Sequence, residues 1–225
     1  MTSDLHGYAP ERFQCLLDTA GFGDGDECYV LGDVIDRGAD GAALLRWIVQ
    51  HPRMHLIRGN HEAMMLACRF ALDKSLTEFT DEQITALRRW LDNGGNPTLD
   101  GLDCLPFEEA TALLDAVAQT PLYAQVEVGG RRYLLTHSGL GNYAPDKPIE
   151  AYTERELLWH RPSLDEVYDG DTVVVFGHTP TMLLHVDWLG CVLRTRTWMD
   201  VDTGAAMGME PTLLCLDTME EYRLP

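Results

Sequence analysis

Residues 31–40 read LGDVIDRGAD. Two carboxylates, Asp33 and Asp36, stand three residues apart, Arg37 and Gly38 follow at once, and the apolar run Tyr29-Val30-Leu31 leads in. Alone, this is a polar turn after a buried strand, because Gly, Asp and Arg are common loop residues. What changes the reading is recurrence. Ile57 runs into Arg58-Gly59-Asn60-His61-Glu62, Leu135 into Thr136-His137-Ser138-Gly139, and Phe176 into Gly177-His178-Thr179-Pro180; upstream, Asp4-Leu5-His6-Gly7 has the same character. Five segments thus end in Asp, Asn or His beside a glycine. A single such cluster reads as an ordinary polar turn; five at strand ends predict one site, because loops at the carboxyl ends of α/β strands gather at one edge of the sheet.

The residue types say what that site holds. Asp4, His6, Asp33, Asn60, His137 and His178 form an oxygen and imidazole donor set with no thiolate. Such a set suits Mn, Fe, Zn or Co rather than a sulfur-bound structural zinc. Asp4 and His6 are two residues apart, so along extended backbone they face one side. Six donors exceed the needs of one open catalytic ion and fit two ions about 3.5–4 Å apart. Asp33, whose loop lies between the two donor groups in sequence, is the expected bridge.

The totals narrow the function class. The chain has 225 residues, 45% of them hydrophobic, enough for one domain with a sizeable core. Its formal net charge of −19 argues against nucleic-acid and anionic-membrane partners. No apolar run approaches a bilayer span, and Met1-Thr2-Ser3-Asp4 lacks the look of a signal peptide. The six cysteines are scattered with no CxxC pair, as expected of reduced thiols in a cytoplasmic protein.

Residues 28–31, 54–57, 133–135 and 173–176 read as short buried strands, and 11–20, Gly41–Gln50 and 62–72 as helices. Thr80 with Gln83 and Thr153 with Glu156 form capping-box pairs, and Pro106 opens a helix to about Val117. LRRWLDNGG reads as packing around Trp90, and WLG at 188–190 and Trp198 as core or β-edge residues. CVLRTRTW and TLLCLD alternate like strands of an antiparallel sheet. The expectation is one α/β (α+β) domain over residues 1–225 whose strands form two sheets, with a helical insertion at about 73–120. Only three residues precede Asp4, which predicts a frayed first strand and, with it, either a true start further upstream or a loosely held first ion.

Read together, SDLHG, GDVIDRG, RGNHE, THSG and FGHTP resemble the signature of the PPP metallophosphatases, within the calcineurin-like metallophosphoesterase superfamily. The likeness is nearest to the small bacterial and phage λ-type serine/threonine protein phosphatases. The motifs run in the family's order from residue 3 to residue 180, and DTGAA at 202–206 resembles a later segment. The resemblance implies an αββα sandwich of two mixed sheets flanked by helices and carrying two divalent ions, manganese first. Asp4, His6 and Asp33 would hold one ion; Asp33, Asn60, His137 and His178 the other. Asp36 would orient His61, the general acid, while a metal-bridging hydroxide attacks phosphorus. Arg37 and Arg58 would grip the phosphoryl group with a third arginine, for which Arg161 in LLWHRPS matches the position and Arg155 lies close by. The implied substrate is a phosphorylated protein or a small phosphoester. Dinucleoside polyphosphate hydrolysis, or a metal-binding scaffold without turnover, stand as alternatives.

Overall fold

A computed structural model of the chain describes residues 1–73 and 76–225. The first half alternates helix and strand: α1 (Pro10–Thr19), β1 (Cys28–Val30), α2 (Gly41–Gln50), β2 (Met54–Leu56) and α3 (Asn60–Ala67). Three helices follow, α4 (Asp81–Asp92), α5 (Asn96–Asp103) and α6 (Phe107–Ala118). The remainder holds β3 (Tyr123–Val128), β4 (Arg131–Thr136), α7 (Glu154–Leu158), β5 (Thr172–Phe176), α8 (Thr181–Leu184), β6 (Leu193–Arg194), β7 (Trp198–Asp200), β8 (Leu213–Leu214) and β9 (Glu221–Tyr222).

The larger sheet is mixed, in the order β3-β4-β5-β7-β6. β4, β5 and β7 run parallel, and β3 and β6 close the two edges antiparallel. Opposite it, β1 and β2 pair in parallel, and β8 and β9 form an antiparallel pair. The first residues of the chain join these two pairs. Thr2 N–H donates to Tyr29 O and Leu31 N–H to Thr2 O, while Leu214 N–H donates to Met1 O and the amino terminus to Leu214 O. This corrects the expectation of a frayed start. Met1 and Thr2 form a central rung between the two pairs, and the N–H groups of Asp4, His6 and Gly7 donate to Gly32, Asp33 and Val34 O, so the buried residues 1–7 keep their polar backbone paired.

Side-chain alternation sorts the core into layers. On β4, Tyr133 and Leu135 face the space between the sheets with Val173, Val175, Met199, Met1, Leu31 and Ile57. Leu134 points the other way, packing with Val174, Phe176, Trp198, Leu157 and Tyr168. The period of two along each strand makes this division. Behind β1 and β2, the Leu44, Leu45 and Ile48 stripe of α2 packs with Phe13, Leu16 and Leu17 of α1, as amphipathic helices cover a sheet face.

The local expectations hold at both capping boxes: Gln83 N–H donates to Thr80 Oγ1 and Glu156 N–H to Thr153 Oγ1. Three elements differ. The helix expected over 62–72 stops at Ala67 and tightens into a 3₁₀ turn over Arg69–Leu72. Helix α5 was hidden because the expected stop at Gly94 is followed at once by a new helix with Pro97 in its first turn. The late strands do not form one antiparallel sheet: β7 pairs antiparallel with β6 but parallel with β5, and β8–β9 belongs to the other layer. No described helix is long and apolar enough to cross a membrane.

Candidate active site

The polar clusters after β1, β2, β4 and β5, together with residues 4–7, meet at one edge of the two sheets. All but the cluster after β4 line a cavity of about 210 Å³, with Asp4, His6, Asp33, Arg37, Asn60, His61, Arg161 and His178 in its wall, while His137 stands behind Asp33. Getting so many loops into one place requires unusual backbone. Asp4, His6, Asp33, Asp36, Arg37 and His178 all have positive φ, between 42° and 71°, leaving only Asn142 and Met219 as other non-glycine cases among the described residues. Left-handed backbone costs roughly 1–2 kcal/mol for a residue with a Cβ. That strain concentrates at the cavity, as is usual where geometry serves chemistry. Glycine supplies the closest crossing: a Cβ on Gly32 would lie 2.5 Å from Gly59 Cα, and one on Gly59 would collide with Asp33.

Glu62 locks that crossing. Its buried carboxylate accepts from the backbone N–H of Asp33, Val34 and Gly59, each at 2.9 Å. Sequence reasoning gave Glu62 only a place in a helix; its position one residue after His61 carried no hint that it ties two loops together.

Asp33 sits at the middle. Its Oδ2 lies 3.8 Å from His6 Nε2, 3.8 Å from His61 Nε2 and 3.5 Å from His137 Nε2. Two triplets of donors therefore share it, His6–Asp33–His61 and Asp33–His137–His178, each within 4.8 Å. Asp4 joins less directly. Its Oδ1 is 3.8 Å from His6 Nε2, and its Oδ2 accepts from His178 N–H.

The hydrogen bonds explain why these atoms fit cations. His6 Nδ1 contacts Ile35 O at 3.0 Å and His137 Nδ1 contacts Leu31 O at 2.7 Å. Carbonyls only accept, so each ring donates from Nδ1 and turns a lone pair on Nε2 inward. His137 Nε2 then faces the Asn60 side-chain oxygen at 2.8 Å, acceptor against acceptor. His178 Nε2 is buried without a hydrogen-bond partner. A divalent cation is the species that satisfies such a convergence, and ring N–H donation to a carbonyl is the usual support of metal-ligating histidines.

Electrostatics agrees. Burial, with repulsion from Asp4 and Glu62, holds Asp33 well above the usual carboxylate range. Burial and Asp202 raise Asp200, and burial and Asp4 raise Asp202. Burial lowers His6 to about 3, against the pull of Asp4. It also lowers His178, aided by His137 and Arg161. Without compensating charge the site resists ionisation, and bound cations invert that preference.

The second part of the cavity is His61 with Asp36. His61 Nδ1 lies 2.6 Å from Asp36 Oδ2, and Nε2 faces the cavity, 3.3 Å from Arg37 Nη2. Burial, then Arg37 and His137, lowers His61 to about 3. Burial raises Asp36 to about 6 against the hydrogen bonds of Thr98 and Trp90.

The arginines separate. Arg37 and Arg161 line the cavity, and Arg161 Nη1 also donates to Thr179 Oγ1 at 3.2 Å. Arg155 lines a neighbouring groove with Arg89, Glu154 and Trp159. Arg58 is not brought to the cavity. Its guanidinium donates to Ala118 O at 2.8 Å and Thr120 O at 2.7 Å, because the free carbonyls at the end of α6 compete for it. Trp159 and Asp202 also line the cavity and were missed. Asp202 follows β7 as Asp33 follows β1, which was a usable signal.

The fold and this donor set define a metallophosphoesterase. The chain belongs to the calcineurin-like phosphoesterase family, whose model matches residues 1–197. A symmetrical bis(5'-nucleosyl)-tetraphosphatase of Chromobacterium violaceum is 32% identical over 96% of this chain and 91% of its own length. Serine/threonine-protein phosphatase 2 of Salmonella typhimurium is 26% identical over 79% of this chain and 78% of its own. The crystal structure of a candidate diadenosine tetraphosphatase superposes with a TM-score of 0.68 at 17% identity, over 100% of this chain and 91% of that one. Against other curated relatives the chain spans less: 24% of serine/threonine-protein phosphatase 7 of Arabidopsis thaliana, at 37% identity over 40% of this chain, and 56% of an Acidovorax tetraphosphatase.

Proposed function

We propose that the chain is a dimetal-dependent phosphomonoesterase of the serine/threonine protein phosphatase type. The observation that carries this reading is the His61–Asp36 pair, with His61 Nε2 turned into the cavity. A proton donor matters most when the departing oxygen is a poor leaving group, such as the alkoxide of a seryl or threonyl side chain. A nucleotide leaving through a phosphate oxygen is already a stable anion and gains little.

The roles follow from position. Asp4, His6 and Asp33 would hold one divalent ion, and Asp33, Asn60, His137 and His178 would hold the other. Bound there, manganese or a similar ion supplies Lewis-acid chemistry, neutralising phosphoryl oxygens and acidifying water. Arg37 and Arg161 fix and neutralise the phosphoryl oxygens, a task suited to a planar, permanently charged guanidinium. Arg37 leaves His61 Nε2 as it turns to the phosphate, and the dianion beside the ring then favours the imidazolium. His61 passes its Nε2 proton to the leaving oxygen while Asp36 holds the ring. The six cysteines are unpaired and take no part.

The second reading, symmetrical dinucleoside tetraphosphate hydrolysis, is favoured by the relative matched over nearly its full length. One assay separates the two. Chelator-stripped protein is reloaded with Mn²⁺ and offered a phosphoserine peptide, an aryl phosphate and a dinucleoside tetraphosphate. The proposal expects turnover of the first two; turnover of the last alone favours the second reading, and no turnover despite bound metal leaves a scaffold.

A further inference from the structure

The segment between residues 81 and 103 meets the cavity at Asn93 and grips the Asp36 carboxylate beside it. Trp90 of α4 is buried, and its indole N–H lies 2.9 Å from Asp36 Oδ2 and 3.2 Å from Asp36 Oδ1. Thr98 of α5, also buried, places Oγ1 2.7 Å from Asp36 Oδ1, and the same oxygen accepts from Asp36 N–H at 2.8 Å. At the junction of the two helices, Gly94 O accepts from Arg37 N–H at 2.9 Å, and Gly95 lies against the Trp90 ring. This segment therefore grips the Asp36-Arg37 turn from outside the sheet-edge loops.

We propose that Trp90 and Thr98 are positioning residues that fix the tautomer and orientation of His61 by saturating Asp36 with donors. The logic is one of donors and acceptors. An indole N–H only donates. The Thr98 hydroxyl already accepts from Asp36 N–H, so its own hydrogen is free to go to Oδ1. Both carboxylate oxygens are therefore accepting before His61 is considered. The 2.6 Å contact is then an N–H donation from His61 Nδ1, and Nε2 is the nitrogen left facing the cavity. A ring held in the other tautomer would turn the Nδ1 lone pair on Asp36, acceptor against acceptor, and lose the bond that aims Nε2 at the cavity; a tautomer error of this kind is costly in other carboxylate–histidine pairs. Trp90 thus does more than pack, which corrects its reading as plain core.

The inference rests on the general-acid reading of His61, and its test has one arm that depends on that reading and one that does not. Thr98→Val keeps the shape and removes the hydroxyl; Trp90→Phe keeps an aromatic ring and removes the N–H; Thr98→Ser restores the donor. With a phosphoserine peptide, Thr98→Val and Trp90→Phe should each lower kcat by about 10–100-fold with KM within about twofold, the range seen when outer partners of a working histidine are lost. With 2,4-dinitrophenyl phosphate the loss should stay within about threefold, and Thr98→Ser should recover most of the peptide activity. Equal losses on both substrates, or none on either, overturn the proposal. The second arm uses ¹⁵N spectra of the His61 ring in Zn²⁺-loaded protein. The wild type should show Nδ1 protonated in one tautomer and the two variants a mixture. A single unchanged tautomer in both variants overturns the proposal whatever the enzyme hydrolyses.

Discussion

The two sides of the cavity are built by different kinds of structure. On one side, Asp4, Asp33 and His178 line the cavity from turns just past the sheet edge, with His137 after β4 directly behind Asp33, and the backbone of the sheets aims them. On the other, His61 is aimed by Asp36, and Asp36 is held by Trp90 and Thr98 from helices far along the chain. The first side gathers carboxylates and imidazoles, and the second is the pair to which we assign the proton. The difference teaches that convergence of the metal-type donors is a property of sheet topology, whereas the orientation of His61 depends, through Asp36, on helices that could be lost with those donors intact.

The largest expected effect breaks the first side. Asp33→Asn removes the carboxylate shared by both donor groups and should lower turnover by about 10³-fold or more on every phosphoester, measured as kcat with saturating Mn²⁺. The next breaks only the second side. His61→Asn should lower kcat on a phosphoserine peptide by about 10²–10⁴-fold, with a smaller loss on 2,4-dinitrophenyl phosphate, compared in one assay series. Arg161→Ala and Arg58→Ala sharpen the contrast between cavity and scaffold. Arg161→Ala should raise KM for the phosphoester by about 10-fold, the loss of one charge-assisted pair. Arg58→Ala should leave KM unchanged and lower stability by about 1 kcal/mol, through loss of its bonds to the α6 carbonyls, as read by urea melting.

These contrasts show what the sequence made legible. The donor set could be read because each strand announces its end: an apolar run stops, and Asp, Asn or His follows within a few residues, at Asp33, Asn60, His137 and His178 alike. The sheets' existence followed from the same runs. The supports could not be read this way. Trp90 looked like any buried tryptophan, and its partner Asp36 lies 54 positions away. Glu62 looked like an ordinary first-turn acid until its three backbone donors appeared. The bonds that hold Arg58 away from the cavity could not be read, because a motif gives its neighbourhood but not the competing carbonyls at the end of α6. The N-terminal residues looked too few for a strand because local length says nothing about two neighbours waiting on either side.

The smallest expected effect concerns pH and the metal-free fold. Asp33, Asp200 and Asp202 have pKa values raised in the folded state, chiefly by burial, and Asp36 rises to about 6. Such groups bind more protons folded than unfolded, so their stabilisation is full below the ordinary carboxylate range and is lost as pH rises through the folded values. His6 and His61, lowered to about 3, act in the opposite sense, but only as pH falls below their unfolded value of 6.5. Above pH 6.5 the lowered histidines are neutral in both states and Asp36 has passed its folded value, so Asp33, Asp200 and Asp202, held well above the carboxylate range, set the direction. Chelator-stripped protein should therefore melt at a lower temperature at pH 8.5 than at pH 6.5, by about 2–4 °C for each kcal/mol lost. Saturating Mn²⁺ should flatten or reverse the trend.

The central claim is that Asp33 is shared by two cations, one on the His6 side and one on the His137 and His178 side. Anomalous diffraction from crystals grown with Mn²⁺ tests it most directly. The account predicts two peaks about 3.5–4 Å apart, straddling Asp33 Oδ2. A single peak there, or two peaks that Asp33 does not touch, would contradict it.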